Sequence, residues 1–345
     1  MTTLKCNILC VTLDVDGIRL CETLSRVAAD KRRKGLFGRK SCYNPKFFKA
    51  IETLIYQELP DVFAITTQDE DANGTYFHAE YLPMRMKELS YTAYRRLKIE
   101  NVGQLKYDDL TKQPSSSALR LSIYVKEDEL DNWNKHRASV ENMYINSLPV
   151  LKEEFHGGAL SIRMFHEYFG RIQVIAANLP NSIEAAKITN DQQYLEYREY
   201  ANIVTEQGIQ NIVTKLAKDY EHLVMLGDFN ADFLPADKNA WRADDLLTQL
   251  KAPGRILSNM QEGVDNAGPT FAPTYRLHRK NVVTDEFEQI FNAQDYEVKG
   301  VQRYGFPDRI FYRDVRNGKT TCNYYKRIVV ADTQHAGVIA SLTIN

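Results

Sequence analysis

The sequence of 345 residues lacks the features that mark several large classes of protein. No stretch approaches the roughly 18 apolar residues of a membrane-spanning helix, so we expect no transmembrane segment. The formal net charge is −1, which gives no general attraction to nucleic acid or to an anionic membrane. A basic tract at 31–40 is either a local patch for anionic lipid or RNA, or a solvated loop. Nucleic acid is therefore disfavoured as a partner.

The cysteines are few and do not form a recognisable framework. There are five, which is an odd number, and none form a Cys-x-x-Cys pair. A disulfide scaffold or a structural zinc site is therefore disfavoured, and free thiols in a reducing compartment are expected. The amino-terminal stretch MTTLKCNILCVTLDV has no basic region followed by an apolar run, so we expect no signal peptide and an intracellular location, cytoplasmic or organellar.

What is present fits one large α/β domain spanning 1–345. Hydrophobic residues make up 43% and charged residues 26%, as in globular proteins, and no repeat or composition break divides the chain. Helical spacing predicts a helix that begins at Asn44-Pro45 and a long helix over 194–218. Apolar runs predict strands at 5–15, 62–65, 118–126, 158–165, 171–179, 223–226, 309–312, 328–330 and 338–342. This pattern favours two mixed, largely antiparallel sheets covered by helices.

The stretch LVMLGDFNAD (223–232) changes character within two residues. Its apolar start predicts a buried strand, yet Gly227 is followed by Asp228 and Asn230. Gly, Asp and Asn are common turn residues, so a simple turn is one interpretation. The other is that residues i and i+2 of an extended end point the same way and present a carboxylate and an amide to one ligand.

Polar residues lie at the ends of six of the predicted strands, which favours a shared site over six separate solvated turns. Sheets gather the ends of their strands in one place, and clustered oxygen ligands suit Mg²⁺. A histidine paired with an aspartate could then act on a phosphate. The residues at these ends are Asp14, Asp16, Asp69, Asn178, Asn181, Asp228, Asn230, Asp308 and His335.

Four segments, in order along the chain, carry a resemblance to a known family. They are HGGALSIRMF (156–165), LGDFN (226–230), EGVDNAGPTFAPTYR (262–276) and GFPDRIFY (305–312). Together they resemble the endonuclease/exonuclease/phosphatase superfamily, and within it the catalytic domain of the inositol polyphosphate 5-phosphatases. The resemblance covers nearly the whole chain and implies a four-layered α/β sandwich of the DNase I-like type.

The resemblance also implies roles for particular residues. Asp228 would position or deprotonate an attacking water, and Asn230 would hold a phosphate oxygen. Asp308 would orient His335, which would stabilise charge on the phosphoryl group. If the protein is active, Asp69 and Asp16 would bind Mg²⁺. The residues implied in substrate binding are His156, Tyr275, Arg276 and Asn181.

Two departures from the family pattern bear on activity. Asn178 stands where the family has a histidine, and Gln334 stands where it has an acid before the last histidine. We therefore favour an inositol polyphosphate 5-phosphatase-like protein that is catalytically impaired and serves as a structural or interaction subunit with protein partners in a larger assembly. The alternative is an active Mg²⁺-dependent phosphatase that removes the 5-phosphate from phosphoinositides or inositol phosphates. A nuclease-like phosphodiesterase is disfavoured by the neutral net charge and by PTFAPTYR.

Overall fold

The computed structural model describes residues 6–16, 45–69, 82–100, 106–107, 114–115, 118–126, 139–146, 156–166, 170–179, 191–217, 222–231, 245–271, 273–277, 303–314, 320–329 and 335–344. The helices within these ranges are α1 (Pro45–Glu58), α2 (Leu82–Glu88), α3 (Asp191–Asn211) and α4 (Leu246–Gln249). A π-helical turn, Ile212–Leu216, extends α3, and a 3₁₀ turn spans Val264–Asn266. No helix of the described part is long and apolar enough to cross a membrane.

Two larger sheets form the centre of the molecule. The strands of the first are β1 (Cys6–Asp16), β2 (Val62–Asp69), β3 (Tyr91–Glu100), β6 (Ala118–Lys126), β14 (Thr320–Ile328) and β15 (Gly337–Ile344). Those of the second are β7 (Ser139–Asn146), β8 (His156–His166), β9 (Gly170–Asn178), β10 (His222–Asp228) and β13 (Asp308–Asp314). Two short pairs are β4 (Lys106–Tyr107) with β5 (Pro114–Ser115), and β11 (Tyr275–Leu277) with β12 (Arg303–Gly305).

The order of the first sheet is β14-β15-β1-β2-β6-β3, and that of the second is β13-β10-β9-β8-β7. Each sheet contains one parallel pair, β1 with β2 and β9 with β10, and its other pairs are antiparallel. The predicted pair of mixed, largely antiparallel sheets is thus confirmed.

The sheets face each other and carry helices on their outer sides, which gives four layers. Between the sheets, one buried apolar cluster combines Ala64 of β2 with Val174 of β9 and Leu226 of β10. On the outer side of the first sheet, Ile51 of α1 packs with Phe63 of β2. The outer side of the second sheet packs against α3 and α4. Because strand residues alternate in direction, even-numbered residues of β9, β10 and β13 face the interior between the sheets.

The predicted strand at 328–330 is wrong. The strand lies earlier, at Thr320–Ile328, and β14 alternates buried and exposed residues without a long apolar run. It is an edge strand, as are β3 and β7, which sequence patterning also missed. An edge strand lacks a neighbour on one side and tolerates polar side chains, so its apolar signal is weak.

The strand ends converge at one end of the sandwich. In the first sheet, Thr12 pairs with Val338, so β1 ends beside the start of β15, where His335 lies just before the strand. β2 runs parallel to β1 and ends at Asp69. In the second sheet, β9 and β10 end where β13 begins. Residues from both sheets are therefore brought to one place.

Candidate active site

A row of polar residues crosses the second sheet at this end. Asp228 is paired with Asn178 on one side and with Asp308 on the other, and we call these three residues the polar row. Gly158 continues the same line beyond Asn178. All three members are buried. One pleat deeper lies an apolar row that belongs to the core between the sheets, formed by Leu160, Ala176, Leu226 and Ile310.

The backbones of Asp228 and Asp308 lie directly opposite each other on neighbouring strands. The N–H of Phe229 donates to the carbonyl of Pro307 at 2.8 Å, so the pair one residue further along is the hydrogen-bonded one. Asp228 and Asp308 therefore form a narrow, non-hydrogen-bonded pair, with Cα atoms about 4.5 Å apart. Like charges directly opposite in a sheet are destabilising. The site consequently favours a positive charge nearby.

His335 supplies one group that can carry such a charge. Its Nδ1 lies 2.8 Å from Oδ2 of Asp308, so the hydrogen bond predicted between these residues is present. An ionised carboxylate only accepts hydrogen bonds, so the shared proton sits on Nδ1. With its proton on Nδ1, the ring has Nε2 as an acceptor when it is neutral and as a donor when it is charged. The other carboxylate oxygen of Asp308, Oδ1, is buried and accepts no hydrogen bond from the described residues.

Asp228 and Asn230 form a compact turn. Oδ1 of Asp228 accepts the backbone N–H of Asn230 at 2.7 Å, and Asn230 adopts the left-handed conformation with φ of 51°. The side-chain amide of Asn230 donates to the carbonyl of Leu179, whose own N–H donates to the carbonyl of Asp228 at 2.9 Å. The turn interpretation is therefore confirmed, and the turn fixes Asp228 within the polar row.

Gly227 is required for this geometry. Its φ is +141°, and a Cβ built there would lie 1.9 Å from the carbonyl oxygen of Ala177 on the neighbouring strand. We expect Gly227→Ala to destabilise the fold by clearly more than the roughly 1–2 kcal/mol that a left-handed backbone costs an L-residue. The matched control is Gly254→Ala, since Gly254 has φ of +79° with no atom within 4 Å of the built Cβ. The measurement is the free energy of unfolding of both variants in urea. Equal losses in Gly227→Ala and Gly254→Ala would contradict the requirement for glycine at position 227.

A second group of charges lies behind the polar row, on the outer side of the sheet. The guanidinium of Arg309 is fully buried and donates to both carboxylate oxygens of Glu262, to Oε2 at 2.7 Å and through Nε to Oε1. It also donates to Oδ2 of Asp245 at 2.7 Å. The hydroxyl of Tyr325 donates to Glu262 at 2.9 Å. We call Asp245, Glu262, Arg309 and Tyr325 the buried charge network.

The network is electrically balanced once a nearby lysine is included. Nζ of Lys251 lies 3.7 Å from Glu262, so two basic and two acidic residues share the region. Burial alone would lower the pKa of Arg309, but the carboxylates of Asp245 and Glu262 more than offset it and raise that pKa above its ordinary value. Burial lowers the pKa of Lys251. Burial, together with the charge of Glu262, raises the pKa of Tyr325 well above its usual value.

This network explains two of the sequence segments that carried the resemblance. Glu262 opens EGVDNAGPTFAPTYR, and Arg309 lies in GFPDRIFY between two phenylalanines that face its guanidinium. Sequence reasoning gave neither residue a role. An arginine inside an apolar strand was the available signal, because a buried guanidinium requires a carboxylate partner.

The free edge of β13 is covered by the same segments. The N–H groups of residues 308, 310 and 312 point away from β10, since the 308–228 pair is non-hydrogen-bonded. They donate respectively to Oγ1 of Thr274 at 3.3 Å, to the hydroxyl of Tyr325 at 3.1 Å and to the carbonyl of Gln261 at 2.9 Å. The N–H of Gln261 donates back to the carbonyl of Tyr312 at 2.7 Å. The edge strand that carries Asp308 is thereby fixed in place.

The remaining predicted site residues are only partly described. Asp16 is paired with Gln68, the residue before Asp69. The backbones of the two predicted metal ligands are therefore neighbours where β1 and β2 end. Tyr275 of β11 is paired with Gly305, close before Asp308. The side chains of Asp16, Asp69, His156, Tyr275 and Arg276 lie outside the described part, as do residues Asn181 and Gln334 entirely. Among the side chains that are described, no three His, Cys, Asp or Glu residues are grouped to hold a metal ion.

Comparison of the whole structure with solved proteins identifies the fold. The chain is similar to an endonuclease/exonuclease/phosphatase from Beutenbergia cavernae DSM 12333, with a TM-score of 0.55, 11% identity and coverage of 98% of this chain and 72% of that one. It is also similar to the human Nocturnin catalytic domain, with a TM-score of 0.51, 10% identity and coverage of 98% and 95%. The chain has the endonuclease/exonuclease/phosphatase fold.

The predicted four-layered α/β sandwich is thus confirmed. A point mutant of Cimex nitrophorin shares the fold, with a TM-score of 0.53, 14% identity and coverage of 98% and 99%. No protein-family model matches the chain, and no curated protein sequence does. At this level of identity the likeness establishes the fold, so the chemistry must be argued from the site itself.

Proposed function

We propose that the chain binds a phosphate ester at the polar row in a Mg²⁺-dependent manner, and that its capacity to hydrolyse the ester is impaired. The observation that carries this proposal is the arrangement of Asp308, hydrogen-bonded to His335 at 2.8 Å, directly opposite Asp228. A carboxylate beside a carboxylate–imidazole pair is suited to hold a water and a phosphoryl group together. The fold alone does not entail this chemistry, because the Cimex nitrophorin that shares it was solved as a ferrous NO complex.

The charge of the described site accounts for the need for a cation. Asp228 and Asp308 are both buried, and His335 contributes at most one positive charge. A phosphate dianion would be repelled by this set without further positive charge. In support of Mg²⁺, Asp308 carries a buried carboxylate oxygen with no donor among the described residues. The resemblance implies Asp16 and Asp69, at the ends of β1 and β2, as further oxygen ligands. When bound, Mg²⁺ would supply charge that offsets the phosphoryl oxygens.

The protein's own groups would share the remaining work. Asp228, held by the N–H of Asn230, would orient a water toward the phosphorus and accept its proton. His335 would present Nε2 to a phosphoryl oxygen, because Asp308 fixes its Nδ1 proton. These steps depend on positioning and fixed charge, which are the main sources of catalysis in phosphoryl transfer.

Asn178 is the reason to propose impairment. Asn178 is paired with Asp228, the central member of the polar row. The resembled family has a histidine at the position of Asn178. A carboxamide cannot carry positive charge toward a phosphate. Loss of one positioned donor or charge typically costs about 10²–10³ in rate. Gln334, in place of an acid, is a second loss implied by the resemblance.

The substrate class that we propose is an inositol phosphate or a phosphoinositide headgroup. It rests on the resemblance of PTFAPTYR, and on the pairing of Tyr275 with Gly305, which brings β11 close to Asp308. Arg276 would provide charge for a second phosphate on the ring. The human Nocturnin structure holds a bound sulfate anion, which supports the accommodation of a tetrahedral anion by this fold. An impaired protein of this kind would act through protein partners as an interaction subunit.

A second candidate is an active Mg²⁺-dependent phosphatase. The observation that favours it is the intact hydrogen bond between Asp308 and His335. A protein that no longer catalyses the reaction has no catalytic reason to keep this hydrogen bond. The pair also has a structural reason to persist, because a buried polar group left without a partner costs roughly 1–3 kcal/mol. Measurement of turnover separates the two candidates.

The test is titration calorimetry with inositol polyphosphates, with Mg²⁺ and with chelator, together with phosphate release. Because Asp308 carries the oxygen proposed for Mg²⁺ and fixes His335, we expect binding that requires Mg²⁺ and is lost in Asp308→Asn, with turnover at or near background. Asp265→Asn is the matched control, because Asp265 is exposed and asparagine tolerates its left-handed backbone. Robust wild-type turnover that disappears in Asp228→Asn would establish the second candidate instead. Absence of binding to the whole panel would contradict both.

A further inference from the structure

We propose that Thr274 is a positioning residue that holds Asp308 and His335 in register with each other and with β11. The proposal rests on the proposed function for its catalytic meaning, but its structural content can be tested without any substrate. Thr274 is buried and lies in the PTFAPTYR segment, where sequence reasoning gave it no role.

Thr274 is hydrogen-bonded on both sides of the pair. Its Oγ1 accepts the N–H of Asp308 at 3.3 Å. Its carbonyl accepts the N–H of Ala336, the residue directly after His335, at 2.8 Å. Its own N–H donates to the carbonyl of Gly305 at 3.0 Å. One residue therefore contacts the backbone beside each member of the Asp308–His335 pair.

This connection matters because the pair spans two sheets. Asp308 begins β13 of the second sheet, whereas His335 lies directly before β15 of the first. The ladder bonds of either sheet fix one partner without fixing the other. A displacement of about 1 Å between groups that act together is enough to reduce catalysis substantially. Thr274 restrains that displacement through bonds to both strands.

The same residue joins the pair to the strand that we propose for substrate binding. Tyr275 follows Thr274 directly and begins β11. From the side of the first sheet, Nη1 of Arg327 on β14 donates to the carbonyl of Pro273 at 2.9 Å and fixes the approach of this segment. A ligand that orders β11 would therefore also order Asp308 and His335.

The hydroxyl of Thr274 is the part that a substitution can isolate. Thr274→Val preserves the shape of the side chain and its backbone bonds but removes the acceptor for the N–H of Asp308. That N–H points to the free edge of β13, so it loses the partner that the structure provides. Thr274→Ser keeps the oxygen and removes only the methyl group.

The experiment is ¹⁵N-edited NMR of the full chain without substrate, observing the Nδ1–H of His335. This proton, assigned by its absence in His335→Gln, reports the hydrogen bond to Asp308 directly. We expect a downfield signal in the wild type and in Thr274→Ser, and its loss or marked upfield movement in Thr274→Val. Thr205→Val, which alters a buried threonine on α3, is the control and should leave the signal unchanged. An unchanged signal in Thr274→Val would overturn the proposal.

Two further measurements keep the outcome interpretable. If Thr274→Val does not fold, hydrogen exchange of the wild type provides the test: the amides of Asp308 and Ala336 should both be strongly protected. Exchange of either amide at the rate of an unfolded chain would overturn the proposal. Where Mg²⁺-dependent phosphate binding is measurable, Thr274→Val should weaken it and Thr274→Ser should restore it. Failure of the proposed function would abolish that binding in the wild type and leave the NMR result unaffected.

Discussion

Glu262→Ala is expected to destabilise the folded chain by about 3–5 kcal/mol, because it leaves a buried guanidinium without its main partner. Glu262 accepts two hydrogen bonds from Arg309 and one from Tyr325, and both it and Arg309 are fully buried. Asp245 alone cannot satisfy the remaining donors. The measurement is equilibrium unfolding in urea, with the free energy of unfolding extrapolated to water.

A matched control lies on the surface. Glu206 is also paired with an arginine, Arg255, at 2.9 Å, but the two side chains are 41% and 49% exposed. Surface ion pairs contribute roughly 0–1 kcal/mol, so Glu206→Ala should lose little stability. Equal losses in the two variants would contradict a structural role for the buried charge network. Tyr325 of this network also accepts the N–H of Ile310 at the free edge of β13. Glu262→Ala should therefore broaden the NMR signals of residues 308–312 at urea concentrations below the unfolding transition.

Asn178→His combined with Gln334→Asp is expected to raise Mg²⁺-dependent phosphate release by about 100-fold or more over the wild type. The reason is that the pair restores one positive and one negative group at the site implied by the resemblance. On one side of position 178 the next residue along the row is Gly158, which has no side chain to oppose an imidazole. The two changes need not be additive, so each single variant should be assayed as well.

The control for this gain is Asn178→Gln, which enlarges the side chain but adds no charge. It should leave phosphate release at the wild-type level. A double variant that folds, binds phosphate and still gives no turnover would contradict the view that the loss of these two groups explains the impairment. The assay should use both a soluble inositol phosphate and a short-chain phosphoinositide, because the resemblance does not separate them.

The sequence predicts the interior of this fold better than its borders. The predicted strand 118–126 agrees with β6 at both ends, and the ends of the central strands β9 and β10 were predicted to within two residues. Both faces of β9 and β10 are largely buried, so their sequences are apolar and easily recognised. The edge strands β3, β7 and β14 were missed or misplaced. In β14 the exposed positions include polar side chains, which an edge strand tolerates, so the apolar pattern that marks a strand is weak.

The sequence placed candidate site residues at strand ends but did not predict the interactions that hold them. Asp228, Asp308 and Asn178 were identified at strand ends, and their alignment in one row follows from a register that only the structure provides. The bond between Arg309 and Glu262 joins residues 47 positions apart, and Thr274 contacts a residue 34 positions away. Contacts at such separations depend on how the sheets are assembled, and local spacing carries no information about them.

The most direct test of the central claim is an NMR titration of the wild-type chain with inorganic phosphate in the presence of Mg²⁺. Backbone amide shifts locate the ligand independently of any turnover. We predict the largest saturable shifts at Asn178, Asp228, Asn230 and Asp308 and at the ring of His335, and none of these when Mg²⁺ is replaced by a chelator. Saturable shifts confined to other parts of the chain, with the polar row unaffected, would contradict the assignment of this row as the phosphate site.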